Sequence, residues 1–168
     1  MCYDVVSATR SLIKYARHRR DEIAYIEALE KKLKQLEGSL VPHFHVSGFA
    51  HPGLLVFTNE QPFDPQIFNW GLIPAWTKDV SAASLISNQT LNARGETIFE
   101  KPSFKNAAEN RRCLVYLDAF YEHHHYNGKT YPYRIEMKDD SVLVLAGLWE
   151  EWNNKTTGEI FRTVSIVT

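Results

Sequence analysis

The stretch Cys113-Leu114-Val115-Tyr116-Leu117, running straight into Asp118-Ala119-Phe120-Tyr121-Glu122-His123-His124-His125, decides the fold. Five apolar, β-branched and aromatic residues are too few for a helix and suit a buried strand. Outward from it the same texture recurs. Phe44–Val46, Leu54–Phe57, Phe68–Leu72, Tyr133–Ile135, Val142–Leu148 and Phe161–Val167 are short apolar or alternating runs, with Gly, Pro, Asn and Asp between them. Helical periodicity is confined to the first quarter. There Ile23, Ile26, Leu29, Leu33 and Leu36 recur at three- and four-residue spacing, Glu27–Lys31 and Glu30–Lys34 add i,i+4 pairs, and Gly38 supplies a stop.

Two polar stretches interrupt the strands. Residues 77–91 read as a loop with weak helical character, and Ser103 is placed to cap a short helix ending near Glu109. The expected architecture is a single α+β domain, residues 1–168, with a curved, mostly antiparallel, barrel-like sheet flanked by helices. The last strand reaches Thr168 without a closing element, so the domain is expected to be incomplete at its C-terminus.

Composition narrows the function classes. With 168 residues, 44% hydrophobic and 23% charged, the chain is globular in character rather than disordered or coiled-coil. No apolar run approaches membrane-spanning length and the N-terminus lacks a signal-peptide pattern, so a cytoplasmic location is expected, nucleoid-associated if bacterial, with no membrane partner. Two cysteines, Cys2 and Cys113, read as reduced thiols. A net charge of -1 means that any nucleic acid must be held by a local patch. Arg10, Lys14, Arg17, Arg19 and Arg20 carry no acid among them; a solvated helix face is the plain reading and a phosphate-tracking face the sharper one.

Four constellations bear chemistry. Removal of Met1 would give Cys2 an amine and a thiol on adjacent carbons, and such an aminothiol condenses with an aldehyde to an imine that its own sulfur closes into a thiazolidine. That closure is intramolecular, with an effective concentration on the order of 10⁵ M in favourable cases. Asn92-Ala93-Arg94-Gly95-Glu96-Thr97, followed by Glu100-Lys101-Pro102-Ser103-Phe104, is a surface loop or a binding loop; Asn92 both donates and accepts, and the Arg94 fork suits a phosphate. Glu122, beside aromatics, is a candidate for proton transfer. The adjacent His123-His124-His125 alternate faces on a strand and lack His-x-x-x-His spacing, so they read as a hydrated turn and no metal is expected. Lastly, Asn69-Trp70-Gly71-Leu72-Ile73-Pro74-Ala75-Trp76 sets two tryptophans in core packing or in a wall for an unstacked base, and Ala146-Gly147-Leu148-Trp149-Glu150 favours core.

Taken in order, these pieces resemble the SOS response-associated peptidase (SRAP) family, proteins that crosslink to abasic sites in single-stranded DNA. The resemblance spans nearly the whole chain. It is carried by Met1-Cys2, Trp70-Gly71-Leu72-Ile73-Pro74, Asn92-Ala93-Arg94 with Glu96-Thr97, Lys101-Pro102-Ser103-Phe104, Arg112-Cys113-Leu114, Phe120-Tyr121-Glu122 and Ala146-Gly147-Leu148-Trp149-Glu150. It implies that Cys2, freed of Met1, attacks the ring-opened aldehyde of the abasic sugar. Asn92 would hold the thiazolidine, and Glu122 would handle protons at the N-terminal amine and guide removal of Met1. Arg94 would hold phosphate or sugar oxygens, in a patch drawing on Lys101, Arg111 or Arg112. Trp70 and its apolar neighbours would wedge against flanking bases. The partner implied is single-stranded DNA containing abasic sites, with no cofactor and no obligate protein partner.

The chain departs from the family pattern at Tyr3-Asp4, Asn69, Ala119 and His123, and it ends before the family's His-x-Arg-Met-Pro-like segment. Two other classes compete. A cysteine-dependent hydrolase or autopeptidase would work with Met1 in place, because it needs only the sulfur. A non-catalytic single-strand-binding module would form no adduct at all.

Overall fold

The computed structural model describes residues 3–7, 12–13, 16–17, 21–36, 45–139 and 141–168. Cys2, Gly38, Phe44 and most of the basic stretch 10–20 lie outside the described residues; of that stretch Arg17 is described, and it pairs with Glu30.

The strand that opens at Cys113 grows to fifteen residues and organises everything else. In chain order the strands are β1 (Asp4–Ser7), β2 (Val46–Ser47), β3 (Gly53–Thr58), β4 (Gln66–Trp70), β5 (Asn92–Ala93), β6 (Arg112–Tyr126), β7 (Lys129–Glu136), β8 (Leu143–Asn153) and β9 (Ile160–Val167). The helices are α1 (Ile23–Leu36), α2 (Val80–Gln89) and α3 (Lys105–Asn110). The first half of β6 pairs antiparallel with β3 on one side and β8 on the other. Strand β3 continues to β4, β4 lies parallel to β9, and β9 returns to β8. Five strands thus close into a barrel, which leaves those strands no free edges.

Period-two alternation fills its interior. Leu54 and Val56, Phe68 and Trp70, Cys113, Val115 and Leu117, and Trp149, Val164 and Ile166 form one buried cluster. The opposite face of β3 is covered too, because Leu55 and Phe57 pack under Leu12, Ala16 and Leu29. A strand buried on both faces reads as the unbroken apolar run Leu54–Phe57. A third cluster seats Phe104, Ala107 and Ala108 against Leu72, Ala93 and Leu148 outside the barrel.

Several expectations change. Residues 80–89 are a regular helix, started by Asp79, whose carboxylate accepts from the Ala82 N–H at 2.8 Å. Its periodicity is weak because only Ala83 and Ser87 are buried. Ser103 does not cap α3: Phe104 occupies the cap position without a side-chain bond. His123–His125 lie inside β6, paired with β7, and the turn comes after them at Asn127-Gly128, whose φ values of 49° and 72° form a tight hairpin.

One irregularity matters for the site. Val6 pairs with Ala119 but Ser7 with Leu117, so Asp118 is an extra residue, a bulge in β6. Before it, Cys113, Val115 and Leu117 face the core; after it, Phe120 does, opposite the buried Val5. Burial pushes the Asp118 carboxyl up from 3.8 to about 6, with Arg134 pulling it back, and Oδ1 is buried without a hydrogen bond among the described residues. The folded chain therefore holds this proton to higher pH than the unfolded chain. Stability falls as pH rises from about 4 to about 6 and stays at the lower level above that. Asp118→Asn is expected to raise the thermal midpoint at pH 8 and to flatten its decline between pH 4 and 6. An unchanged profile would show a carboxyl hydrated in the fold.

Candidate functional site

Trp70 builds the floor of the principal cavity without entering it. Its side chain is fully buried, and the indole N–H donates to the Leu91 carbonyl at 2.8 Å. Ser165 Oγ and the Ile166 N–H bond the same carbonyl at 3.3 and 3.1 Å. Thr90 Oγ1 donates to the Leu72 carbonyl at 2.6 Å. Residues 90–92 are thereby pinned to the barrel at the end of α2, and Asn92 pairs with Ile166.

The facing wall also depends on Trp70. Gly48 lies so close over the indole that a Cβ there would stand 2.9 Å from the ring. Its N–H donates to the Tyr3 carbonyl at 2.7 Å, and the next residue, Phe49, stacks on the Tyr3 ring with centroids 5.7 Å apart. Between the two walls lies a cavity of about 550 Å³, lined by Tyr3, Phe49, Asn92, Arg94, Thr97 and Lys101 among others. Arg94 and Lys101 are exposed and take part in no ion pair among the described residues. Two cations therefore face solvent at the rim, where an anion loses little hydration on arrival.

Glu122 approaches from the other side. The β1–β6 register pairs Asp4 with Tyr121, so one further step sets Glu122 across from Tyr3. The Asp118 bulge gives Glu122 the facing of Phe120, toward the cluster that Tyr3 also joins. Glu122 is half-buried there.

The structure therefore gathers Asn92, Arg94 and Lys101 in one cavity, with Tyr3, the neighbour of Cys2, in its wall and Glu122 beside that wall. It does not bring Arg112 or Trp70 there as read. Arg112 opens β6 at its far end, beside Phe57, Asn59 and Leu114. Arg111 is committed to an ion pair with buried Glu150 and lies over the Trp149 ring at 5.2 Å. Trp70 has no exposed face on which a base could rest, and of the two tryptophans in that motif only Trp76, 60% exposed, has one. Cys113 is buried and its thiol is pushed up to about 12 by burial, which removes it as a nucleophile. Sequence reading missed Phe49 as a wall; the adjacent Gly48 was its faint signal.

Comparison with known proteins finds relatives of the chain and of its fold. The family model for "SOS response associated peptidase (SRAP)" matches residues 12–168. The chain is 40% identical over 100 residues to the abasic site processing protein YoqW of Bacillus subtilis, covering 59% of this chain and 43% of that protein. It is 31% identical over 118 residues to the abasic site processing protein HMCES of Gallus gallus, covering 59% of this chain and 35% of that one. The chain thus spans less than half the length of these curated relatives. A crystal structure of a Bacteroides thetaiotaomicron protein superposes with a TM-score of 0.78 at 34% identity, covering 99% of this chain and 67% of that chain. One from Bordetella bronchiseptica shares the fold, with a TM-score of 0.68 at 20% identity, over 99% of this chain and 71% of that one.

Proposed function

The chain belongs to the SOS response associated peptidase (SRAP) family, and on that premise we propose that it processes abasic sites in single-stranded DNA by forming a covalent crosslink through Cys2. One observation carries the proposal: a single cavity joins Tyr3, the residue after Cys2, to Asn92, Arg94 and Lys101.

The chemistry balances with these groups alone. Hydrolytic removal of Met1 leaves an α-amine on Cys2, and a neutral α-amine adds to the ring-opened aldehyde of the abasic sugar. Loss of one water gives an imine. The Cys2 sulfur then adds to the imine carbon, its proton passes to nitrogen, and a thiazolidine closes. Glu122, across from Tyr3, takes and returns protons at the amine during addition and dehydration. Asn92 bonds the ring through its amide, and Arg94 and Lys101 hold the phosphates on either side of the sugar.

Intact mass tests this directly. The chain without Met1 should gain the mass of an abasic single strand minus one water, and it should gain nothing from the same strand with all its bases. An adduct that forms equally with Met1 retained would favour chemistry through the sulfur alone and overturn the reading.

Arg94 carries a separate expectation. Arg94→Ala should weaken binding to single strands and lower the log–log salt slope by roughly 0.7 per lost phosphate contact. Weaker binding with an unchanged slope would make Arg94 a structural residue.

A further inference from the structure

The barrel accounts for the first half of β6, but from Glu122 to Tyr126 the strand runs on with β7 as a two-stranded ribbon. Every residue of β7 is exposed. Such ribbons are marginal by themselves, and this one carries rings where a solvated hairpin would carry charges. The register explains their arrangement. Glu122 pairs with Tyr133, His124 with Tyr131 and Tyr126 with Lys129, and paired residues of alternate rank share one face. That face carries Tyr133, His124, Tyr131 and Tyr126, ending at Lys129.

We propose that this face is a stacking track for a single strand of nucleic acid, leading away from the cavity along the ribbon. Three observations choose that occupant. First, the rings stand in a row a little closer together than two rings that hold a base between them. His124 and Tyr126 are nearly parallel, 13° apart, with centroids at 6.2 Å, and His124 meets Tyr133 edge-on at 6.2 Å. A planar base needs about 7 Å between two rings, twice a van der Waals contact of roughly 3.5 Å, so a small rotation of either exposed side chain admits one. Second, each of these rings carries a polar atom, which suits a wet strand better than an apolar protein surface. On the face itself Lys129 stands at the outer end, where a phosphate would meet a cation beside the last ring. Third, the track is continuous with the site, since its inner end is Glu122. This last step rests on the function proposed above. The ribbon from Glu122 to Tyr126 is about 13 Å long at roughly 3.3 Å per residue, enough for a few nucleotides.

The test uses the 168-residue chain with two probes: an oligothymidine long enough to cover cavity and ribbon, and an abasic trinucleotide that reaches only the cavity. Tyr126→Ala combined with Tyr133→Ala should weaken oligothymidine binding by about twentyfold or more, because each base–ring stack is worth roughly 1–3 kcal/mol. Tyr126→Phe with Tyr133→Phe keeps the rings and should bind within about twofold of the parent. Adduct formation with the abasic trinucleotide should be the same in all three. Unchanged oligothymidine affinity in the alanine pair overturns the track, as does a phenylalanine pair as weak as the alanine pair. If the alanine pair instead alters self-association in sedimentation while its DNA affinity holds, the face docks protein and the proposal falls. Should the parent form no adduct while the alanine pair still loses oligothymidine binding, the track stands and the crosslinking reading falls alone.

Discussion

Cys2→Ala is expected to leave no heat-stable adduct with abasic single-stranded DNA, while Cys2→Ser forms at most an imine that dissociates on heating. The two variants separate the two nucleophiles. Alanine keeps the α-amine and so keeps imine formation, but an imine hydrolyses. Serine restores only a hydroxyl, which closes the ring far less readily than a thiol. The effect is all-or-none because ring closure is intramolecular and no described residue lining the cavity carries a second thiol. Cys113→Ala is the internal control. Its thiol faces the barrel core and is held neutral by burial, so its loss should leave crosslinking intact and cost about 1–2 kcal/mol of stability through the space it vacates. A persistent adduct from Cys2→Ala would show that the nucleophile lies elsewhere.

The barrel was legible where burial is simple. Leu54–Phe57 reads as an unbroken apolar run because both of its faces are covered, and the periodic residues Ile23, Ile26, Leu29, Leu33 and Leu36 all fall within α1. The reading failed where periodicity is interrupted for a physical reason. At Asp118 the bulge shifts the alternation by one, so the apolar run ends at Leu117 although the strand continues to Tyr126. Helix α2 buries only two small residues, and β1 and β5 are too short to show a period.

The site divides along the same line. Asn92-Ala93-Arg94 stood out because a dense polar stretch between apolar strands is uncommon, and its Asn92 and Arg94 do line the cavity with Lys101. Arg112 follows Arg111 by one position and belongs to the same basic cluster in the sequence. In the fold it stands ten residues along β6 from Glu122, roughly 33 Å of extended strand, and such a distance is visible only once the strand's full length is known. Composition cannot separate a tryptophan in a core from one in a wall. Only burial does.

That separation gives the second large expectation. Trp70→Ala should lose about 3–5 kcal/mol, the usual cost of deleting a buried aromatic, against the roughly 5–15 kcal/mol that holds a domain together. For a chain of this size the thermal midpoint should fall by about 6–20 °C. The loss reaches the site through two walls. The Leu91 carbonyl loses its indole donor, which loosens Asn92, and Gly48 loses the ring beneath it, which loosens its bond to the Tyr3 carbonyl. Trp70→Phe separates these contributions, since it keeps a ring under Gly48 and removes only the N–H and part of the volume. It should cost about 1–2 kcal/mol and slow the Cys2 adduct without changing the salt slope of DNA binding. Trp76→Ala is the contrasting variant: at 60% exposure its removal should change stability by no more than about 0.5 kcal/mol. If Trp70 contacted bases directly, Trp70→Phe would weaken DNA binding at an unchanged midpoint. A lowered midpoint with a slower adduct assigns it to positioning, as the support on which both walls of the cavity rest.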